Sequence, residues 1–110
     1  MKATVPARIR KLMKELKEGL VHIYGDKLKA VYLYGSYARG DYRKGSDVDV
    51  MIVLSDYKSY WDEINRTSEL MQKVCLDYDL LVSRIFMTEG KWKQEDTPLL
   101  RNIRQDGLPA

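Results

Sequence analysis

The sequence has little of the residues that build several common kinds of site. It contains one cysteine, Cys75, and one histidine, His22. A lone cysteine cannot form a disulfide within the chain, which points to a reducing compartment, the cytoplasm. One Cys and one His also fall short of the usual four nitrogen and sulfur ligands of a structural zinc site. Any metal site must therefore be made of oxygens, which selects magnesium or manganese. No apolar run approaches the ~18 residues that would span a membrane. The start, Met1-Lys2-Ala3-Thr4-Val5-Pro6, lacks the apolar stretch of a signal peptide. Neither charge sign dominates. The net charge of +3 is compatible with a polyanionic substrate, but it is no direct evidence for nucleic acid.

What is present fits one domain over residues 1–110, with 45% hydrophobic and 32% charged residues. Val5, Ile9, Leu12, Leu16, Leu20 and Ile23 recur at helical spacing, so a helix is expected over 5–24, with Thr4 as its N-cap and Gly25 as its stop. His22 lies among apolar neighbours on that helix and reads as structural. Residues 28–34 (LKAVYLY) read as a strand, with Tyr32 and Tyr34 packing against helices. Residues 35–45 hold three glycines and read as a turn with a short helical segment near Tyr37 to Arg39. Residues 47–54 (DVDVMIVL) read as a buried central strand. A second helix is expected over 59–76, with Trp61, Ile64, Ser68, Met71 and Cys75 on its inner face. A third strand is expected over 78–85. A last helix opens at Thr97-Pro98 and ends at Gly107. The order implies an α+β domain with a small sheet.

The chemistry is concentrated in residues 35–49. Asp47 and Asp49 stand two apart at the start of a strand, so alternation turns both carboxylates to one face, with Cα atoms roughly 6–7 Å apart. Like charges held so close favour a cation between them. Gly35-Ser36 follows a strand and precedes a turn. A glycine there admits close approach of backbone to phosphate, and the Ser36 hydroxyl can either bind phosphate or cap the turn. Arg39 can bind phosphate or pair with Asp41 or Asp47. Ser46 reads as a turn residue.

If these pieces form one site, the first two strands run antiparallel. The pair Asp77 and Asp79 would start the third strand, which must then run parallel to the second to bring a third carboxylate to the same edge. Three carboxylates around two metal ions roughly 3.5–4 Å apart form a clamp for in-line phosphoryl displacement.

The run Gly35-Ser36, ten residues, Asp47-Val48-Asp49 resembles the signature of the DNA polymerase beta nucleotidyltransferase superfamily. The flanks Ala38-Arg39-Gly40 and Ser46-Asp47, and the ending Thr97-Pro98-Leu99-Leu100-Arg101-Asn102-Ile103-Arg104, resemble the minimal nucleotidyltransferases of bacteria and archaea. The resemblance implies a polymerase beta palm-like fold, a small mixed sheet flanked by helices. It implies that Asp47 and Asp49 hold Mg²⁺ or Mn²⁺, and that a third carboxylate completes the site and can act as base. Asp79, leading into Leu80-Leu81-Val82, is favoured over Asp77 for that place. Gly35, Ser36 and Arg39 are then the nucleotide-binding set.

The same resemblance implies transfer of AMP from ATP to a protein hydroxyl. The expected partner is a small helical HEPN-domain protein, in a hetero-oligomer that pairs antitoxin with toxin, and self-association is a further possibility. The choice among ATP, GTP, CTP and UTP is not encoded legibly. Transfer to a small molecule or an RNA end, and a non-catalytic binding antitoxin, are the alternatives. The first conflicts with the absence of an acceptor lobe and the second with the retained carboxylates. The last helix offers Leu99, Leu100 and Ile103 beside Arg101 and Arg104, either for docking a partner or for packing on its own sheet.

Overall fold

The computed structural model describes residues 4–110. Its centre is β2 (Val48–Leu54), in which every residue but Asp49 is buried. Apolar side chains on both faces of a strand require cover on both faces, and the rest of the chain supplies it. β1 (Leu28–Tyr34) lies antiparallel to β2 and β3 (Val82–Thr88) lies parallel to it. This is the mixed arrangement inferred from the motif. A short β4 (Leu108–Pro109), not foreseen, pairs antiparallel with β1, giving the order β3-β2-β1-β4.

Helices α1 (Ala7–Tyr24) and α3 (Tyr60–Tyr78) cover one face. Ile9, Leu12, Leu16 and Leu20 pack with Val48, Val50, Ile52 and Leu54 of β2 and with Met71 and Val74 of α3. Helices α4 (Glu89–Gln94) and α5 (Pro98–Asp106) cover the other, where Leu100 and Ile103 pack with Met51 and Val53. Leu100 and Ile103 are each only 1% exposed, so the apolar stripe of α5 is spent on its own sheet. Arg104 lies over the Trp92 ring and donates to the Trp92 and Glu95 carbonyls, while Arg101 pairs with Asp96.

Four expectations need correction. Helix α1 begins at Ala7 and Thr4 does not cap it, because Pro6 disfavours helical backbone at Val5. His22 is exposed rather than packed. The inner face of α3 is Glu63, Thr67, Met71, Val74 and Tyr78, and Trp61 is 68% exposed. A periodicity reading passes over Glu63 because it is charged. It is buried because it accepts from the Tyr24 hydroxyl at 2.8 Å and from Arg66 at 3.1 Å. Burial and that carboxylate together push the Tyr24 hydroxyl pKa upward. Next to this pair, Arg84 of β3 donates to Thr67 Oγ1 and to the Ile64 carbonyl, both at 2.8 Å.

The fourth correction concerns the third strand, which starts at Val82 and not at Tyr78. Helix α3 continues through Tyr78, whose ring is buried, and ends at Asp79 in left-handed backbone (φ 51, ψ 46). Aspartate tolerates that conformation better than most residues.

The joint between α5 and β4 is sterically tight. A Cβ at Gly107 would lie 2.4 Å from the Ile103 carbonyl oxygen, which accepts the Gly107 N–H at 2.7 Å. Gly107→Ala should therefore cost about 1–3 kcal/mol, the range for overpacking. That would lower the melting temperature by about 4–8 °C per kcal/mol, measurable by thermal denaturation.

Candidate active site

The end of β1 and the start of β2 meet in the sheet, with Tyr34 opposite Asp49. Gly35 follows in left-handed backbone (φ 75), and a Cβ there would sit 2.3 Å from Asp49 Oδ2. Any side chain at position 35 would displace the carboxylate, so the glycine is required twice, by its φ and by the contact. The chain then turns into a single helical turn, α2 (Ser36–Arg39), where Ala38 and Arg39 N–H groups both donate to the Gly35 carbonyl. The Ser36 and Tyr37 N–H groups are not among these donors, and with the Ser36 hydroxyl they can offer a place for phosphate oxygens.

Residues 40–47 return the chain to β2. Tyr37 and Tyr42 stack with centroids 4.7 Å apart, and Ser46 Oγ accepts from the Arg43 N–H at 2.8 Å, the turn role expected of it. Arg39 donates to Asp41 at 3.3 Å, but both side chains are largely exposed. Such a surface pair is weak, worth about 0–1 kcal/mol. Arg39 also lines the cleft and opposes the rise in the Asp49 pKa. The two roles considered for it are compatible, because so weak a pair can be exchanged for phosphate.

The cleft between this junction and α5 encloses about 310 Å³ and is lined by Tyr34, Gly35, Ser36, Arg39, Asp49, Leu99, Asn102 and Asp106. Asp49 is half-buried, and Asp47 is exposed beside it. The Asp49 carboxyl is held above the usual carboxylate range, first by burial and then by the neighbouring Asp47 charge. Tyr34 is raised as well, by burial and by Asp49. Such a desolvated carboxylate, repelled by a second one, fits an oxygen-ligated divalent cation that would remove the cost.

The third carboxylate is not assembled. Asp77 is on α3, exposed and paired with Lys73 at 2.8 Å. Asp79 is the helix cap and lines a separate depression with Tyr37, Tyr42 and Lys44. Among the described residues no three His, Cys, Asp or Glu side chains are grouped to hold a metal ion. The β3 residue in register with Asp49 is Ser83, which is exposed. The extension of α3 through Tyr78 is the reason: it removes Asp77 and Asp79 from the strand on which alternation would have aligned them.

Sequence reasoning passed over Tyr34, Leu99, Asn102 and Asp106. The signal was available for the last three, whose spacing of three and four puts them on one helix face.

The raised carboxyl has a stability consequence. Folding favours the protonated form of Asp49, so the native chain loses stability as pH rises from the ordinary carboxylate range through the raised value. Above that value the penalty is constant. Asp49→Asn should therefore raise the apo melting temperature at neutral pH, by up to a few degrees given partial solvent screening. The gain should vanish in acid, where both forms are neutral. A variant that melts lower than the native chain at pH 7 without metal would contradict the assignment.

The nucleotidyltransferase domain family model matches residues 10–107. A candidate protein adenylyltransferase of Methanocaldococcus jannaschii is 40% identical over 77 residues, covering 70% of this chain and 77% of that protein. The crystal structure of a candidate nucleotidyltransferase from Sulfolobus solfataricus aligns with a TM-score of 0.67 at 26% identity, covering 99% of this chain and 86% of that one. A tri-AMPylated HEPN toxin in complex with its MNT antitoxin, from Shewanella oneidensis, aligns with a TM-score of 0.51 at 20% identity. That alignment covers 89% of this chain and 70% of that one, and speaks for the fold alone. With the family model spanning nearly the whole chain and the Gly35-Ser36 turn set against Asp49, this chain belongs to the nucleotidyltransferase domain family.

Proposed function

We propose that this chain transfers AMP from ATP to a hydroxyl on a partner protein, in the cleft between α2 and α5. The observation that carries the reading is the contact of Gly35 with the Asp49 carboxylate, which sets the Gly35-Ser36 turn directly against one member of the acidic pair. In the reaction an acceptor hydroxyl oxygen bonds to the α-phosphorus, the bond to the bridging oxygen breaks, pyrophosphate leaves, and the hydroxyl proton passes to solvent water. Ser36 and the α2 backbone would hold phosphate oxygens, and Arg39 would offset the charge that develops on them. Asp47 and Asp49 would hold Mg²⁺ or Mn²⁺, which when bound neutralises phosphate charge and orients the triphosphate. Phosphoryl transfer depends mainly on positioning and charge stabilisation, work to which these two carboxylates and this turn are suited.

The protein adenylyltransferase assignment of the M. jannaschii relative and the AMPylated HEPN toxin beside its MNT antitoxin support a protein acceptor. The partner we propose is accordingly a HEPN-domain protein, bound as antitoxin to toxin in the cytoplasm.

Two outcomes check the chemistry. Asp47→Asn and Asp49→Asn should each abolish AMP transfer, and magnesium with ATP should raise the melting temperature of the native chain but not of these variants. Ser36→Ala should lower transfer by roughly 10- to 100-fold, the loss of one charge-assisted hydrogen bond, whereas Asp79→Asn should leave it within about twofold on the expectation for surface changes away from the site. Co-expression with a HEPN protein encoded alongside, followed by mass spectrometry, should show added AMP on a hydroxyl side chain. An unmodified partner in the presence of full ATP turnover on another acceptor would overturn the protein-acceptor reading.

A further inference from the structure

Phosphate and cation are provided for on one side of the cleft, and the other side is α5. Leu99, Asn102 and Asp106 line it from one helix face, while Leu100 and Ile103 on the neighbouring face anchor the helix beneath the sheet. Asp106 is also placed by the strands. Leu108 of β4 stands opposite Leu33, and Tyr34, the next residue, stands opposite Asp49. Asp106 thus enters the cleft two strands away from Asp49, roughly 10 Å across the sheet. The tight joint at Gly107 fixes it there.

Its carboxylate is half-buried, and no ion pair among the described residues uses it. The nearest cation in sequence, Arg104, is turned to the Trp92 and Glu95 carbonyls instead.

Among the described residues Asp106 is not grouped with Asp47 and Asp49 as a cation site. As an acceptor, it needs donors. The triphosphate has none and repels it. The ribose has two adjacent hydroxyls, and it lies next to the α-phosphate. We propose that Asp106 accepts hydrogen bonds from the ribose hydroxyls of the nucleotide. Helix α5 is then the nucleoside wall of the cleft, with Leu99 and Tyr34 flanking the sugar and the Asn102 amide one turn back toward the base. This assignment rests on the nucleotide-transfer reading and makes the site selective for ribonucleotides over nucleotides lacking those hydroxyls.

The test is calorimetric binding of ATP and of 2′,3′-dideoxy-ATP, with magnesium and no acceptor, to the native chain, Asp106→Ala and Asp106→Asn. Circular dichroism verifies that each variant is folded. The native chain should bind ATP about 10- to 100-fold more tightly than the dideoxy analogue, as charged hydrogen bonds to hydroxyls predict. Asp106→Ala should bring ATP down to the dideoxy level and leave the dideoxy affinity in place. Asp106→Asn, which keeps an acceptor without the charge, should fall between. Equal affinity of the native chain for both nucleotides would overturn the assignment. So would an equal loss for both in Asp106→Ala, which would place the residue with the cation or the fold. Unchanged ATP affinity in Asp106→Ala would do the same. A native chain that binds neither nucleotide would instead bring down the transfer reading itself.

Discussion

The contact between the Gly35 backbone and the Asp49 carboxylate is the constraint around which this molecule is arranged. It exists only because β1 and β2 are antiparallel neighbours in a register that sets Tyr34 against Asp49. A slip of one residue would turn Asp49 to the opposite face, toward α1 and α3, and every apolar residue of β2 with it. Register and site are therefore enforced together. The six buried residues of β2 contribute on the order of 10 kcal/mol of apolar burial at about 1.5–3 kcal/mol each. Repulsion between a half-buried and an exposed carboxylate is small beside that. The core can hold a strained pair of charges in place without a cation, so the site is formed before its ligands arrive.

Much of the fold was legible because it follows simple periods. The span of β1, the α2 turn and the Thr97-Pro98 start and Gly107 end of α5 all follow from pattern and cap chemistry. The antiparallel and parallel pairings followed from requiring Gly35, Asp47 and a later strand to share an edge. The failures have physical causes. Glu63 is a charged residue that belongs to the core because Tyr24 and Arg66 satisfy it, and no hydrophobic count can see that. Asp77-Tyr78-Asp79 looked like a strand entry because Tyr and the following Leu-Leu-Val favour strands. The ring of Tyr78 instead packs as the last turn of α3, and local propensity yields to that burial. Helix α4 escaped notice because Gly90 sits in its first turn and it buries no residue completely.

The same distinction runs through the site. Gly35, Ser36, Arg39 and Asp49 are close in sequence and converge on one cleft, so a local motif captured them. Asn102 and Asp106 share a helix face, but that face meets the cleft only because α5 packs beneath the sheet and is tied to β1 by β4, a two-residue strand that no pattern announces. Residues contributed by distant elements are legible only once topology is known. The strand entry at Asp77 and Asp79 failed for the converse reason: alternation placed both on a strand, and α3 runs through Tyr78 instead.

The sheet edge then reads as a row. Across the four strands stand Ser83, Asp49, Tyr34 and the Asp106-Gly107 joint. The row is asymmetric. On the β4 side α5 closes over it and forms a wall. On the β3 side the strand is the sheet's edge, and the residue beside Asp49 is a small exposed serine. An in-line displacement needs the attacking hydroxyl and the departing pyrophosphate on opposite sides of the phosphorus. A row walled at one end and open at the other would give a nucleotide a fixed seat and leave an acceptor a free approach. A bulky or charged residue at position 83 would narrow that approach, whereas serine leaves it clear. On the proposed reading, the chain would hold the nucleotide against the α5 wall, and the acceptor's own surface would cover the reaction from the open β3 edge.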